Sequence, residues 1–238
     1  MFIVKSRKEI IWTLLFAFLG VGLGVGIHYN PYLKTFRSGI GEELIVVVDA
    51  GHGLPDGGAV GVGGTVEQEI NLSIALKLCE VLEGKGIKVV MTRVTDNCLC
   101  SDQEGKSLRQ IKVEDMKKRL DIIKKSGATV FVSIHMNYYP DAKVDGLRLF
   151  YDKNHAETKI LAENIQSKMS EVTGAKMYAV KTADPNLFLM KNPPVPAVLV
   201  ECGFLSNAEE EKKLNDEDYK SRIAWAIADA IEKYYKEV

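Results

Sequence analysis

Three apolar stretches each end in a side chain able to hold a metal or move a proton. They are Leu44-Ile-Val-Val-Val-Asp-Ala-Gly-His52, Thr129-Val-Phe-Val-Ser-Ile-His135 and Ala197-Val-Leu-Val-Glu201. Continuous β-branched runs of this length read as strands covered on both faces. In an open α/β sheet, ligands gather outside the carboxyl ends of the strands. If these three run parallel, His52, His135 and Glu201 meet in one crevice. Two imidazoles and a carboxylate there point to a zinc hydrolase.

The chain has four histidines. His28 follows an apolar N-terminal run and reads as interfacial, and His155 reads as an exposed residue at a helix start. A catalytic zinc takes three protein ligands and leaves a place for water. His52 and His135 therefore need a partner. Glu67 is best placed, opening a helix after the flexible Gly61–Gly64 loop. Glu69 competes but would point to a different helix face. Asp49 reads either as the acceptor that orients an imidazole or as a cap for the Gly-rich turn. Glu201 is placed to take a proton from water and return one to a leaving group. Arg93 and Asn137 are candidates to steady the substrate or an oxyanion.

The rest of the chain must position these groups. Strands alternate with helices: a strand 44–50, a helix 66–84, strand 88–93, a polar loop 94–113, helix 114–125 and strand 129–135. Then follow a strand 146–151, a helix capped by Asn154 that runs to 173, a short strand 177–181, a Pro-containing loop 183–196, strand 197–201, a short acidic helix opened by Ser206 or Asn207, and a last helix 216–235. This predicts one α/β domain over 44–238, a mostly parallel twisted sheet of about six strands flanked by helices.

Lys5, Arg7 and Lys8 precede an apolar run from Ile10 to Ile27 in which Thr13 is the only polar side chain. At helical rise that run spans about 27 Å, near a bilayer core. Residues 1–28 are therefore expected to be a membrane anchor or signal, with the basic flank in the cytoplasm and the rest exported. Residues 29–43 are expected to be a linker. A net charge of −1 without a basic face gives no reason to expect nucleic acid. Of the four cysteines, Cys79 and Cys202 read as core residues, the latter facing away from Glu201, and Cys98/Cys100 as a disulfide or an inert loop pair.

The motifs together resemble the zinc-dependent N-acetylmuramoyl-L-alanine amidases of the amidase-3 type. Val48-Asp-Ala-Gly-His-Gly53 with Asp56-Gly-Gly-Ala59 is similar to the opening motif, and Val66-Glu-Gln-Glu-Ile-Asn-Leu72 to the acidic helix start. Met91-Thr-Arg93 and Arg119 resemble the Thr-Arg strand end and the helix arginine. Ser133-Ile-His-Met-Asn137 and Pro196–Asn207 resemble the second histidine motif and the catalytic glutamate motif. The resemblance implies zinc on His52, Glu67 and His135, with Glu201 as acid and base. It also implies cleavage of the amide between the muramic lactyl group and L-alanine of peptidoglycan.

Glu67-Gln68-Glu69 departs from the family pattern, which has a basic residue and then an Asp after the ligand. A short chain with one hydrophobic segment and a bare catalytic domain is similar to members that strip stem peptides from spore cortex. Those members support muramic-δ-lactam formation and germination. No plugging helix is evident, so control is expected from an accessory membrane or lipoprotein partner or from expression. Competing readings are a zinc peptidase, a glycan deacetylase and a non-catalytic wall-binding protein.

Overall fold

A computed structural model describes residues 43–100 and 102–237. The expected membrane segment and most of the linker lie outside these residues. Among the described residues no helix is long and apolar enough to cross a membrane.

Six strands form one mixed sheet: β1 (Ile45–Ala50), β2 (Lys88–Met91), β3 (Val130–Asn137), β4 (Arg148–Tyr151), β5 (Lys181–Thr182) and β6 (Ala197–Phe204). Their order is β2-β1-β3-β6-β4-β5. β2, β1, β3 and β6 are mutually parallel, whereas β4 pairs antiparallel with β6 and parallel with β5. β4 and the edge strand β5 therefore run against the rest. Strands of four and two residues carry no mark of their direction, so the sequence left this open.

The helices are α1 (Glu67–Gly84), α2 (Leu108–Lys125), α3 (Thr158–Thr173), α4 (Phe188–Lys191), α5 (Ala208–Leu214) and α6 (Glu217–Glu237). Alternation along β1 divides the core. Val46, Val48 and Ala50 join Ile70, Ile74, Leu78, Leu161, Ile165, Ile223 and Ile227 of α1, α3 and α6 on one face. Val47 joins Phe131, Leu199, Ile123 of α2 and Leu189 and Met190 of α4 on the other. Both faces are covered, which is why these strands read as unbroken apolar runs. The chain leaves β1 to reach β2 on one side and returns to β3 on the other. The carboxyl ends of β1 and β3 thus flank a topological switch point, where a crevice opens.

Several boundaries differ from expectation for identifiable reasons. α2 starts at Leu108, not 114, because Ser107 and Gln110 form a reciprocal capping box. α3 starts at Thr158. The organiser of its entry is Asp152, not Asn154: it accepts from the Asn154 and His155 amides and from Thr158 Oγ1. His155 is half-buried rather than exposed, its Nδ1 2.8 Å from Asp152 Oδ1. The loop 183–196 contains α4, and strand β5 is confined to two residues. Cys79 is half-buried, outside the helix stripe that enters the core, while Cys202 is buried on the face opposite Glu201. Cys98 and Cys100 are free thiols that pack with Ile111.

Candidate active site

The turn after β1 places His52. Its φ of 62° lies in the left-handed region, which non-glycine residues seldom occupy. Two buried arginines hold the turn there. Arg119 of α2 donates to the carbonyls of Ala50 and His52. Arg93 donates to the carbonyls of Ala50, Gly51, Gln68 and Thr95, at 2.8–2.9 Å. Arg93 is thus buried and committed to main-chain oxygens, which places it behind the His52 turn.

Asp49 touches neither imidazole. Its carboxylate receives Arg119 Nη1 at 2.6 Å, Thr92 Oγ1 at 2.7 Å and Ser133 Oγ at 2.6 Å. Burial alone would lift its pKa, but Arg119 and the two hydroxyls hold it below the usual carboxylate value. Asp49 therefore acts through the backbone, by neutralising the arginine that clamps His52. Removing one partner of a buried pair leaves an uncompensated charge, at a cost of about 3–5 kcal/mol. Arg119→Met, which strands Asp49 and Asp115, is expected to lower the unfolding free energy of the metal-free protein by that amount. The urea midpoint checks it.

The acceptor that orients His52 is Asp56, a residue not singled out for this role from the sequence. His52 Nδ1 lies 2.9 Å from Asp56 Oδ2. Lys112 Nζ lies 2.9 Å from the other oxygen. The bond to Asp56 directs His52 Nε2 into the crevice. The His-x-x-x-Asp spacing was legible, but only the left-handed turn makes it a contact.

Glu67 opens α1. Val66, the residue before it, offers no side-chain cap, so the first amides of the helix bond to loop carbonyls: Glu67 N to Ala59 O and Gln68 N to Gly57 O. Glu211 of α5 ties down the preceding loop by accepting from the amides of Gly63 and Thr65. Glu67 is buried while Glu69 is exposed. Glu67 Oε1 lies 3.0 Å from His135 Nδ1 and Oε2 lies 3.3 Å from His52 Nε2. Amides of Met136 and Ala59 donate to the same carboxylate. Burial would raise Glu67, but the two imidazoles hold it well below the usual carboxylate range. Conversely, burial lowers His52 while Asp56 and Glu67 raise it, to about 9 in the metal-free site.

One ligand atom each from His52, Glu67 and His135 lies within 4.8 Å of the others. The imidazole rings are 5.0 Å apart and nearly perpendicular. Backbone closeness matters here. A Cβ on Gly51 would come within 2.3 Å of the His135 ring, and one on Gly58, at φ 73°, within 2.5 Å of Glu67 Oε2. The donor set, two nitrogens and one anionic oxygen crowded together, fits a divalent zinc-like ion with an open coordination place.

Glu201 lies opposite His135 in the sheet register. Its Oε2 is buried and has no hydrogen-bond partner. Burial lifts its pKa to about 7, against the pull of His135. An unpartnered buried carboxylate oxygen is costly unless something binds there. The cleft is a cavity of about 420 Å³ in which Glu201, His52 and His135 share the wall with Cys98, Met116, Asn137 and Phe188. Asn137 sits on the rim, its Oδ1 accepting from the Tyr138 amide at 2.8 Å.

Comparison with known proteins gives a consistent picture. The profile of the Amidase_3 family, described as N-acetylmuramoyl-L-alanine amidase, matches residues 46–233. A germination-specific N-acetylmuramoyl-L-alanine amidase of Bacillus subtilis is 36% identical over 81% of this chain and 80% of its own. The CwlD amidase from Clostridioides difficile, solved in complex with the GerS lipoprotein, is 41% identical. It superimposes with a TM-score of 0.77 over 81% of this chain and 98% of that one. The catalytic domain of the amidase CwlV from Paenibacillus polymyxa is 34% identical, with a TM-score of 0.69 over 80% of this chain and 97% of that one.

Proposed function

The chain belongs to the amidase-3 family of N-acetylmuramoyl-L-alanine amidases, and we propose that it does so as a zinc enzyme of the spore cortex. The family reaction is hydrolysis of the amide between N-acetylmuramic acid and L-alanine in peptidoglycan. His52, Glu67 and His135 are the proposed metal ligands and Glu201 the proposed acid and base. The observation that carries this is the convergence of those three donors within 4.8 Å, beside a buried carboxylate oxygen that has no partner.

When bound, zinc supplies Lewis acidity to the scissile carbonyl and to the attacking water. The remaining chemistry falls to the chain. Asp56 accepts the Nδ1 proton of His52, so that Nε2, on the Glu67 side of the ring, would offer its lone pair to the metal. Glu67 stays anionic over the working pH range because its two imidazole neighbours and two amides favour the charged form. Glu201, poised near neutrality by burial, takes a proton from the attacking water and returns one to the alanine nitrogen as it leaves. Asn137, on the rim of the cleft, is the proposed contact for the substrate.

The spore role rests on similarity to the germination-specific amidase and to CwlD. It consists of stripping stem peptides from cortex to permit muramic-δ-lactam formation and germination. A lipoprotein partner is proposed on the ground that the C. difficile relative was solved with one. Residues 1–28 are the proposed anchor or signal, 29–43 the linker and 44–238 the catalytic domain. The enzyme would then work on the outer face of a membrane, between forespore and mother cell.

The test is digestion of cortex and vegetative peptidoglycan by purified protein, with and without zinc, followed by mass spectrometry. Intact stem peptides with a new alanine amino terminus are expected, released only with zinc and preferentially from cortex. Deacetylated glycan, internally cut peptides or no release at all would overturn the reading.

Asp56→Asn tests how His52 is held. Loss of an outer carboxylate on a ligating histidine typically lowers metal affinity 10–100-fold. A rise of that size in the zinc dissociation constant is expected, measured by competition with a chromogenic chelator, with the fold unchanged.

A further inference from the structure

A second cavity of about 380 Å³ lies beside the catalytic cleft, and Asn137 lines both. Its wall includes Tyr139, Arg148, Lys181 and Phe204. Sheet register explains the adjacency. His135 on β3 pairs with Glu201 on β6, and Glu201 pairs with Arg148 on β4. Directly paired residues point to the same face, so the three side chains form a row that leads from the proposed metal site into the second cavity.

Arg148 is held in place by aromatic rings. Its guanidinium carbon is 3.0 Å from the centre of the Tyr178 ring and 5.5 Å from that of Phe204. Its hydrogen bonds go to the Leu147 carbonyl, a long contact from Nη1 at 3.5 Å, and to the Tyr178 side chain. Among the described residues neither Arg148 nor Lys181 has a carboxylate partner. Their neighbour Lys176 does, with Asp145 at 3.5 Å. The two hydrogen bonds of Arg148 leave other edge donors of its guanidinium open, and their fork geometry matches a carboxylate. Lys181 adds a second positive charge on the same wall.

We propose that this cavity is an anion subsite in which Arg148 and Lys181 bind a carboxylate of the stem peptide. The proposal rests on the amidase reading. The lactyl carboxyl of uncleaved substrate is tied up in the scissile amide, so the glycan limb offers no free carboxylate. The subsite therefore takes the peptide limb, fixing which way the substrate lies across β6 and β4. It also makes the enzyme selective for stems with free rather than amidated side-chain or α-carboxyl groups.

The test uses the zinc-loaded full chain, a muramoyl tripeptide with free carboxylates and the same compound amidated. Wild type is expected to favour the free acid about 10–100-fold in kcat/KM, carried by KM, the size of one charge-assisted contact. Arg148→Gln should bring the free acid down to the level of the amidated substrate and leave kcat on the latter unchanged. Lys181→Gln, at the exposed strand edge, should produce a smaller loss of the same kind. In parallel, calorimetry compares binding of the two product tripeptides, free acid and amidated. A wild type indifferent to amidation, or an Arg148→Gln variant that keeps the preference, would overturn the subsite. Should neither muramoyl compound be turned over, the amidase reading fails, and the calorimetric difference still decides whether the anion subsite exists.

Discussion

Glu201→Gln is expected to bind zinc as the wild type does and to lose roughly 10²–10⁴-fold in kcat, the range for removing a general acid and base. Glutamine keeps the size of the side chain and its place opposite His135, but it cannot accept a proton from water or return one to the alanine nitrogen. Zinc content by metal analysis should be unchanged, because the three donor atoms of the proposed site belong to other residues. Full turnover with full zinc would remove Glu201 from the chemistry. Loss of both zinc and turnover would make it a ligand.

The same variant carries a stability signature of opposite sign. The folded pKa of Glu201 is lifted to about 7 by burial, above that of an unfolded glutamate. The native state therefore holds the proton more tightly, and ionising the group costs stability as pH rises from about 4.5, the cost levelling off above about 7. Removing the titration removes that cost. In the metal-free protein, Glu201→Gln is expected to match wild type at pH 4–5 and to exceed it by at most about 3 kcal/mol at pH 8. A gain independent of pH, followed by thermal melts across that range, would contradict the burial argument. A variant less active yet more stable is what a functional carboxylate kept without a partner should give.

How far the sequence reached depended on which physical signal each feature leaves. β1, β3 and β6 were visible because burial on both faces demands unbroken apolar runs, and the reactive residues sit where those runs stop. Glu67 over Glu69 was also visible, since helix geometry puts only one of them toward the strand ends. For Asp49 and Arg93 the sequence left open whether they face the substrate or support the site from behind, for a shared reason. A charged residue beside a catalytic histidine looks alike whether it faces the substrate or braces the backbone beneath it. Only the packing of α2, which buries Arg119 against Asp49, tells the two apart. Asp56 escaped because its contact depends on the left-handed turn at His52, a property of a single residue with no periodicity to announce it. The row from Glu201 to Arg148 was out of reach altogether, because it exists only through the antiparallel pairing of β4 with β6.

Glu67→Gln is expected to abolish zinc binding, and Glu69→Gln is expected to leave it intact. Glu67 is the only anionic member of the proposed donor set, and its two oxygens face different imidazoles. An amide in its place presents a neutral oxygen to one side and an N–H donor to the other, so one imidazole meets a donor where an acceptor stood. Zinc added at about 1,000 times its dissociation constant should stabilise wild type by about 4 kcal/mol, because only the folded state assembles the site. For a domain of this size that is a rise in melting temperature of roughly 8–16 °C. In Glu67→Gln the rise should vanish and zinc content fall from one ion per chain toward none. Glu69 is exposed, and its variant should keep the full shift. The paired measurement separates loss of a ligand from general damage to the start of α1, because both residues lie in its first turn. Equal loss in both variants would mean that the helix end is disturbed rather than the metal site. No loss in Glu67→Gln would mean that the ion, if there is one, is held elsewhere.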